Sequence, residues 1–261
     1  RALAPREIDI GELQMTAPKP VALCLAAGPG IGAAIARRFS LGGYNTVIVR
    51  RDASKSDNMI KELREQGCEA MALSADVRNE GSMRELFDKV ELEVGPIEIC
   101  VYNGGANTEF PLEETTGKIF GKVWELCCYG GFLAAREAAR VMKPRQRGTI
   151  LFSGATSSIR GREGYAAFSS AKFGLRSLSQ SAAKELAEDK IHVAHVMING
   201  AILSDDIARL FKERAGADVD NFDVDQFIDA DSLADAYWFL SQQKPTCWTQ
   251  ELDIRTYREK W

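Results

Sequence analysis

The stretch "VALCLAAGPGIGAAIARRF", residues Val21 to Phe39, decides the fold of this 261-residue chain. It starts as an apolar run typical of a buried strand, passes through glycines, and continues with Ile31, Ile35 and Phe39 at helical spacing. A strand, a glycine turn and a helix N-terminus in this order present backbone N–H groups and the positive end of the helix dipole to an anion. The stretch therefore predicts a pyrophosphate-binding turn at Gly28, Gly30, Ile31 and Gly32.

Short apolar, β-branched runs recur along the rest of the chain and alternate with longer segments of helical spacing. Near-continuous apolar strands must be covered on both faces, which is typical of parallel strands joined by right-handed crossovers. We therefore predict one α/β domain, residues 18–261, built as a doubly wound parallel sheet with helices on both faces and a ligand at the carboxyl ends of the strands. Its strands are expected near Val21, Thr46, Glu69, Ile97, Gly148, Ile191 and Cys247.

The composition is typical of a soluble globular protein, with 45% hydrophobic residues, 27% charged residues and a formal net charge of -4. It argues against nucleic acid as a partner, and the longest uncharged stretch, Val21 to Ala36, is too short for a membrane span. The six cysteines lack C-x-x-C pairing, so we expect reduced thiols in a cytoplasmic protein. Residues 1–17 are expected to be an N-terminal tail or remnant, since Met15 is a more natural start than Arg1.

The second predicted strand ends in "VRRD", about 20 residues beyond the glycine turn, where a dinucleotide site contacts the adenosine ribose. A site for NAD(H) places an acid there, whereas Arg50 and Arg51 suit a 2′-phosphate. This predicts NADP(H) rather than NAD(H), with two solvated surface arginines as the alternative interpretation.

From Val21 to the C-terminus the chain resembles the short-chain dehydrogenase/reductase family. The family motif Thr-Gly-x-x-x-Gly-x-Gly matches "LAAGPGIG", in which Leu25 and Ala26 replace the Thr and the first Gly. The resemblance implies a Rossmann-like fold. It also implies further cofactor contacts, in "SADV", "YNGG" and "NGAILS" and on a later helix, at Asp76, Val77, Asn103, Gly104, Gly200, Ile202 and Lys172.

The same resemblance locates a reaction centre in which most of the family's polar groups are replaced. In the family, a Tyr gives a proton, a Lys four residues later supports it, and a Ser and an Asn complete the site. Here Lys172 matches the Lys, while Phe168 stands at the Tyr position, Ala155 at the Ser position and Cys127 at the Asn position. A phenyl ring transfers no proton, and general acid catalysis contributes about 10² to 10⁴ in rate. Ordinary ketone reduction by the family's route should therefore be impaired.

Other polar residues in the same segments are weaker candidates for the missing groups. Ser153, Thr156, Ser157 and Tyr165 lie close in sequence to the replaced positions, and Tyr102 and Tyr129 lie in facing segments. His192 and His195 are three residues apart on a predicted strand, so they face opposite sides and no metal site is predicted.

Three functions remain open from the sequence. The first is an NADP(H)-dependent oxidoreductase acting on a small-molecule substrate with an activated C=C, C=N or carbonyl group, for which proximity and orientation suffice. The second is a catalytically silent NADP(H)-binding sensor or scaffold, which explains the three replacements most economically. The third is a non-redox enzyme that uses the apolar cleft as a template.

Two further expectations concern assembly and substrate access. The family resemblance implies a homodimer or homotetramer through the helices at Thr115–Met142 and Gly164–Glu188, with a simple inward core face as the alternative. The first of these helices is expected to place six residues on one face: Phe120, Trp124, Cys127, Gly131, Ala135 and Met142. Residues 203–227 fall where the family keeps its substrate lid.

Overall fold

A seven-stranded, entirely parallel sheet forms the centre of the molecule, in the order β3-β2-β1-β4-β5-β6-β7. The computed structural model describes residues 18–203 and 224–259, so the expected tail and most of the expected lid lie outside the described residues. The strands are β1 (Val21–Leu25), β2 (Asn45–Arg50), β3 (Ala70–Ser74), β4 (Ile97–Tyr102), β5 (Gly148–Ser153), β6 (Ile191–Asn199) and β7 (Glu251–Arg255).

Helices cover both faces of this sheet, as the apolar strands predict. Side chains of β1 alternate between the faces: Val21, Leu23 and Leu25 join one core cluster, and Ala22 and Cys24 join the other. The first cluster includes residues of α3 (Glu80–Glu93), α5 (Gly130–Met142) and α6 (Ala166–Leu186). The second includes residues of α1 (Ile31–Leu41), α2 (Asp57–Glu65) and α7 (Ala230–Ser241). The prediction of one doubly wound domain is confirmed.

The strand order reverses beside β1, which pairs with β2 on one side and β4 on the other. The chain leaves these central strands toward opposite sides of the sheet, so a crevice opens at their carboxyl ends. The loops that follow β1 and β4 form this crevice. Asn103, just after β4, donates its backbone N–H to the carbonyl of Leu25 at 3.1 Å and ties the two strand ends together.

A π-helical turn, Glu125–Tyr129, separates α4 (Gly117–Trp124) from α5. One extra residue in a turn rotates the following helical face by about 100° relative to the preceding one. Phe120 and Trp124 are consequently 40% and 39% exposed, while Cys127, Gly131, Ala135 and Met142 are buried. The expectation that all six residues share one face is wrong, because the helical spacing does not run through this turn unbroken.

Candidate functional site

The N-terminus of α1 offers backbone N–H groups that no side chain caps. Its N-cap is Gly30, which makes no side-chain cap, and the first turn contains no acidic residue. A Cβ added at Gly32 would lie 2.5 Å from the Cα of Ala27, so only glycine lets the helix pack this closely on the turn. The four predicted turn residues, Gly28, Gly30, Ile31 and Gly32, line a cavity of about 640 Å³.

Ala26 keeps the left-handed backbone conformation that suits a glycine at the start of this turn. Its φ is +53°, in a region that costs an alanine roughly 1 kcal/mol or more. The replacement of the glycine therefore stores strain at this residue of the turn.

A second cavity, of about 350 Å³, continues the cleft across the ends of β1, β2 and β3. Five of the residues expected to bind the cofactor line it: Arg50, Arg51, Asp76, Val77 and Asn103. Gly28 and Asn103 line both cavities, so the two form one elongated cleft. Arg50 donates to the backbone carbonyl of Lys55 at 2.9 Å, which fixes its guanidinium at the cleft, and Arg51 is exposed.

Arg78 is an additional cleft residue that the motif comparison does not identify. Its Nε and Nη2 donate to Oδ1 and Oδ2 of Asp76 at 2.9 and 2.7 Å. This fork holds the pKa of Asp76 below its ordinary value and fixes the carboxylate at the cavity wall. The spacing Asp-x-Arg in "DVR" is the local sequence feature that carries the pair.

Lys172 lies at the inner end of the 640 Å³ cavity, with only 3% of its surface exposed. Its Nζ donates to the carbonyls of Gly104 at 3.0 Å and Ser153 at 2.8 Å, which fix the ammonium group between β4 and β5. Burial lowers the pKa of this amine. Gly104 itself lines neither cavity, and the neighbouring Gly105 lines both.

The expected reaction centre contains apolar side chains around this lysine. Phe168 and Ala155 line the cavity, and the ring centroid of Phe168 lies 5.8 Å from the Nζ of Lys172. Cys127 is fully buried behind the cavity, packed in one cluster with Phe168 and Ala171. Burial raises the pKa of the Cys127 thiol, so it is a neutral packing group near neutral pH.

The hydroxyl groups close to the replaced positions have different partners. Ser153 lines the cavity, and its Oγ is hydrogen-bonded to the hydroxyl of the buried Tyr237 at 2.7 Å. Thr156, Ser157 and Tyr165 line the cavity, and the Tyr165 hydroxyl donates to Oε2 of Glu109 at 2.8 Å.

Gly200 and Ile202 line the cavity at the carboxyl end of β6, as the motif comparison implies. Gly200 has φ +155°, a conformation that glycine adopts without strain. Ile202 forms an isolated parallel bridge with Ile228, which anchors this segment where it leaves the sheet.

The two histidines of the chain lie on β6 and are held separately. The His192 ring stacks on Trp248 at 5.1 Å, and the His195 Nδ1 lies 3.1 Å from Oε2 of Glu251. Within residues 18–203 and 224–259, no group of three or more His, Cys, Asp or Glu side chains could hold a metal ion. The helices of the same ranges are all too short or too polar to cross a membrane.

Comparison with known proteins gives the family of this fold and cleft. The sequence profile of the short chain dehydrogenase family matches residues 20–214. The chain belongs to the short-chain dehydrogenase family. The resemblance seen in the sequence is confirmed at the level of family and fold.

Two similar proteins illustrate how far the likeness extends. A 3-oxoacyl-[acyl-carrier-protein] reductase of Bos taurus is 31% identical over 211 residues, which are 81% of this chain and 86% of that protein. The crystal structure of a short-chain dehydrogenase from Rhodopseudomonas palustris is 38% identical, with a TM-score of 0.77 over 91% of this chain and 98% of the other. This member of the short-chain dehydrogenase family is therefore an oxidoreductase of that type. The likeness to both proteins extends over most of its length.

Proposed function

We propose that the protein is an NADP(H)-dependent oxidoreductase that reduces activated C=C, C=N or carbonyl groups of a small molecule. The observation that carries the proposal is the buried, doubly hydrogen-bonded Lys172 at the inner end of an intact cleft, beside a wall without the family's proton donor. Bound nicotinamide would supply the hydride. An activated acceptor suits such a wall, because its reduction depends less on a proton from the enzyme.

Residues of the two cavities would each bind a different part of the cofactor. The uncapped N-terminus of α1 would hold the pyrophosphate, Arg50 and Arg51 the 2′-phosphate, and Lys172 the nicotinamide ribose. Phe168 and Ala155 would exclude water from the reacting end, which strengthens the remaining electrostatic interactions there. Similar folds support the cofactor assignment: a metagenomic short-chain oxidoreductase was solved with NADP, and an actinorhodin polyketide ketoreductase with NADPH.

The test is consumption of NADPH, followed by its absorbance, with 2-cyclohexenone, a cyclic imine and cyclohexanone as acceptors. We expect turnover of the enone or the imine, little turnover of the unactivated ketone, and loss of turnover in Lys172→Ala. Lys184→Ala is the matched control, since Lys184 lies on the same helix α6 but is exposed. Binding of NADPH without consumption for a broad panel of activated acceptors would contradict the proposal.

That negative result would instead favour a catalytically silent NADP(H)-binding sensor or scaffold. The observation in favour of this second candidate is the replacement of three polar groups by Phe168, Ala155 and the buried Cys127. A sensor should change its affinity for a protein partner when NADPH is added. Conversion of a substrate in the complete absence of cofactor would support the third candidate, a template enzyme.

We also propose a homodimer or homotetramer that associates through α4, α5 and α6. Aromatic rings stack along the outer face of this region, with Tyr129 6.3 Å from Trp124 and 6.0 Å from Phe132, and Phe173 of α6 is 41% exposed. Sedimentation velocity should give a dimer or tetramer for the wild type and a monomer for Phe132→Asp. The six free thiols support a reducing compartment such as the cytoplasm.

A further inference from the structure

The outer half of the 640 Å³ cavity has a different character from the apolar end around Phe168. The segment between β5 and α6 brings two guanidinium groups, Arg160 and Arg162, to the cavity wall. Lys172 is the third cation of the wall, and its Nζ is already bonded to two carbonyls. The cavity is thus locally positive in a chain whose formal net charge is -4.

The segment that carries these arginines is held by its own backbone. The N–H of Arg160 donates to the carbonyl of Thr156 at 3.2 Å, and the N–H of Tyr165 donates to that of Arg162 at 3.0 Å. The carbonyl of Gly164 accepts from Phe110 at 2.8 Å. The arginines therefore project from a fixed loop, so little backbone ordering opposes binding of a ligand.

The acidic groups near the two arginines neutralise them only in part. Glu259 is the acidic residue of the wall, and its Oε1 lies 3.5 Å from Nη2 of Arg160. Glu109 accepts instead from the Tyr165 hydroxyl. In the described parts of the chain, no carboxylate lies within ion-pair distance of Arg162, whose guanidinium stacks 5.2 Å from the Tyr165 ring centroid.

We propose that Arg162 and Arg160 bind an anionic group of the substrate, a carboxylate or a phosphate, and that this group orients the substrate in the cavity. The inference rests on the proposed function, since it concerns the substrate class of the same site. A planar guanidinium forms bidentate, charge-assisted bonds with either anion. In the family, a Tyr and a Ser at the positions of Phe168 and Ala155 hold the substrate carbonyl by hydrogen bonds. Here the anionic group of the substrate, bound by the two arginines, would orient the substrate in their place.

The experiment compares two ligands that differ in one charge, 4-(3-oxobut-1-enyl)benzoate and its methyl ester. Calorimetric titration of each ligand, with and without NADP⁺, measures binding independently of turnover. We expect the carboxylate to bind the wild type at least 10-fold more tightly than the ester. Arg162→Gln should weaken carboxylate binding by about 10-fold or more, the order expected for a lost charge-assisted bond, and leave ester binding unchanged.

Two further variants serve as controls. One should tighten carboxylate binding, and the other changes an arginine far from the cavity. Glu259→Gln should tighten carboxylate binding several-fold, because Arg160 loses its competing partner. Arg147→Gln should change nothing, since this exposed arginine directly precedes β5 and so lies at the amino ends of the strands, away from the cavity at their carboxyl ends. Phenyl phosphate in place of the benzoate shows which anion is preferred, and its binding should depend on Arg162 in the same way.

The inference is overturned if the carboxylate and the ester bind the wild type equally, or if Arg162→Gln weakens both alike. These outcomes are distinct from failure of the proposed function. Carboxylate binding that depends on Arg162 in a protein that does not bind NADPH would support the anion site and refute the oxidoreductase. NADPH consumption with equal use of both enones would do the reverse.

Discussion

Phe168 occupies the position one helical turn before Lys172, and the two side chains share the cavity wall. Among the described residues, the ammonium of Lys172 donates to two backbone carbonyls and to no phenol. The spacing of the family motif is thus retained, with an aromatic ring of nearly the same shape and no proton to give.

Restoring both hydroxyls, with Phe168→Tyr and Ala155→Ser together, should raise kcat/KM for an unactivated ketone by about 10²-fold, because a general acid returns to the site. The measurement is NADPH oxidation with cyclohexanone. Phe173→Tyr, an exposed ring on the same helix, is the control and should leave the rate unchanged. A folded double variant that binds NADPH but gains no activity would contradict this account of Phe168.

Ala26 and Ala27 are adjacent and should respond to glycine in opposite ways. Ala26→Gly should raise the free energy of unfolding by up to about 1 kcal/mol, because it relieves the strain of a φ of +53°. Ala27→Gly, at a buried position with negative φ, should lower it by about 0.5–1 kcal/mol. Urea unfolding measures both. Equal losses in the two variants would show that Ala26 carries no strain.

At the residue scale, sequence motifs predict the turn glycines and Lys172, which line the cleft, because their spacing is set by local strand and helix geometry. The motifs do not predict the two-bond ion pair between Asp76 and Arg78. They also do not predict that Gly105, rather than Gly104, lines the cleft. The first depends on side-chain rotamers. The second depends on packing. Gly104 packs against Tyr102, so closely that an added Cβ would lie 2.5 Å from the Tyr102 hydroxyl, and it is Gly105 that lines the cleft.

Among the elements, the π-helical turn between α4 and α5 has a cause outside its own sequence. The buried Tyr102, at the end of β4, donates its hydroxyl to the carbonyl of Leu126 within this turn. Burial raises the pKa of Tyr102, so the phenol stays protonated and remains a donor. A side chain that bonds a helix carbonyl interrupts the regular ladder, which is a common origin of such turns. Helical periodicity therefore predicts one continuous helix and misses the turn.

Tyr102→Phe should lower the free energy of unfolding by about 1–3 kcal/mol, because the half-buried carbonyl of Leu126 loses this hydrogen-bond donor. Chemical denaturation measures the loss. Tyr129→Phe is the control from the same turn, and its effect should stay within about 0.5 kcal/mol, since its hydroxyl has no hydrogen bond among the described residues. Equal effects of the two changes would remove Tyr102 as the cause of the turn.

On the scale of the whole molecule, the sequence predicts the sheet well except at one edge, the strand β7. Strands β1 to β6 are near-continuous apolar runs, and each was expected within one residue of its observed start. The last strand was expected from Cys247, whereas β7 begins at Glu251. Its residues are half-buried or exposed, so hydrophobicity marks the boundary poorly at this edge.

Acid should destabilise the molecule through its buried imidazoles. Burial lowers the pKa of His195 to about 4, against the opposing effect of Glu251, with Arg176 and Lys172 also nearby. A base with a depressed folded-state pKa stays neutral while the unfolded chain takes up a proton, so stability is full above about pH 6.5 and falls toward pH 4. Burial also lowers the pKa of His192, which acts in the same direction.

The measurement is the free energy of unfolding between pH 7 and pH 4.5. An imidazole that stays neutral in the folded protein over this range, as His195 does, contributes a slope of up to about 1.4 kcal/mol per pH unit. His195→Gln should reduce the slope of the wild type by the contribution of about one proton taken up on unfolding, whatever its effect on stability at pH 7. Glu251, whose pKa is lowered mainly by Arg176, adds its own loss only below about pH 4.5. An unchanged slope in His195→Gln would contradict the assignment.

The central claim is that a cleft for a phosphorylated dinucleotide is intact while the proton-donating groups beside it are replaced. Calorimetric titration of the wild-type protein with NADPH and, separately, NADH tests it most directly, with the Arg50→Gln, Arg51→Gln double variant alongside. We expect NADPH to bind at least about 10-fold more tightly than NADH, and the double variant to lose this preference. No binding of either dinucleotide to the folded protein would contradict it.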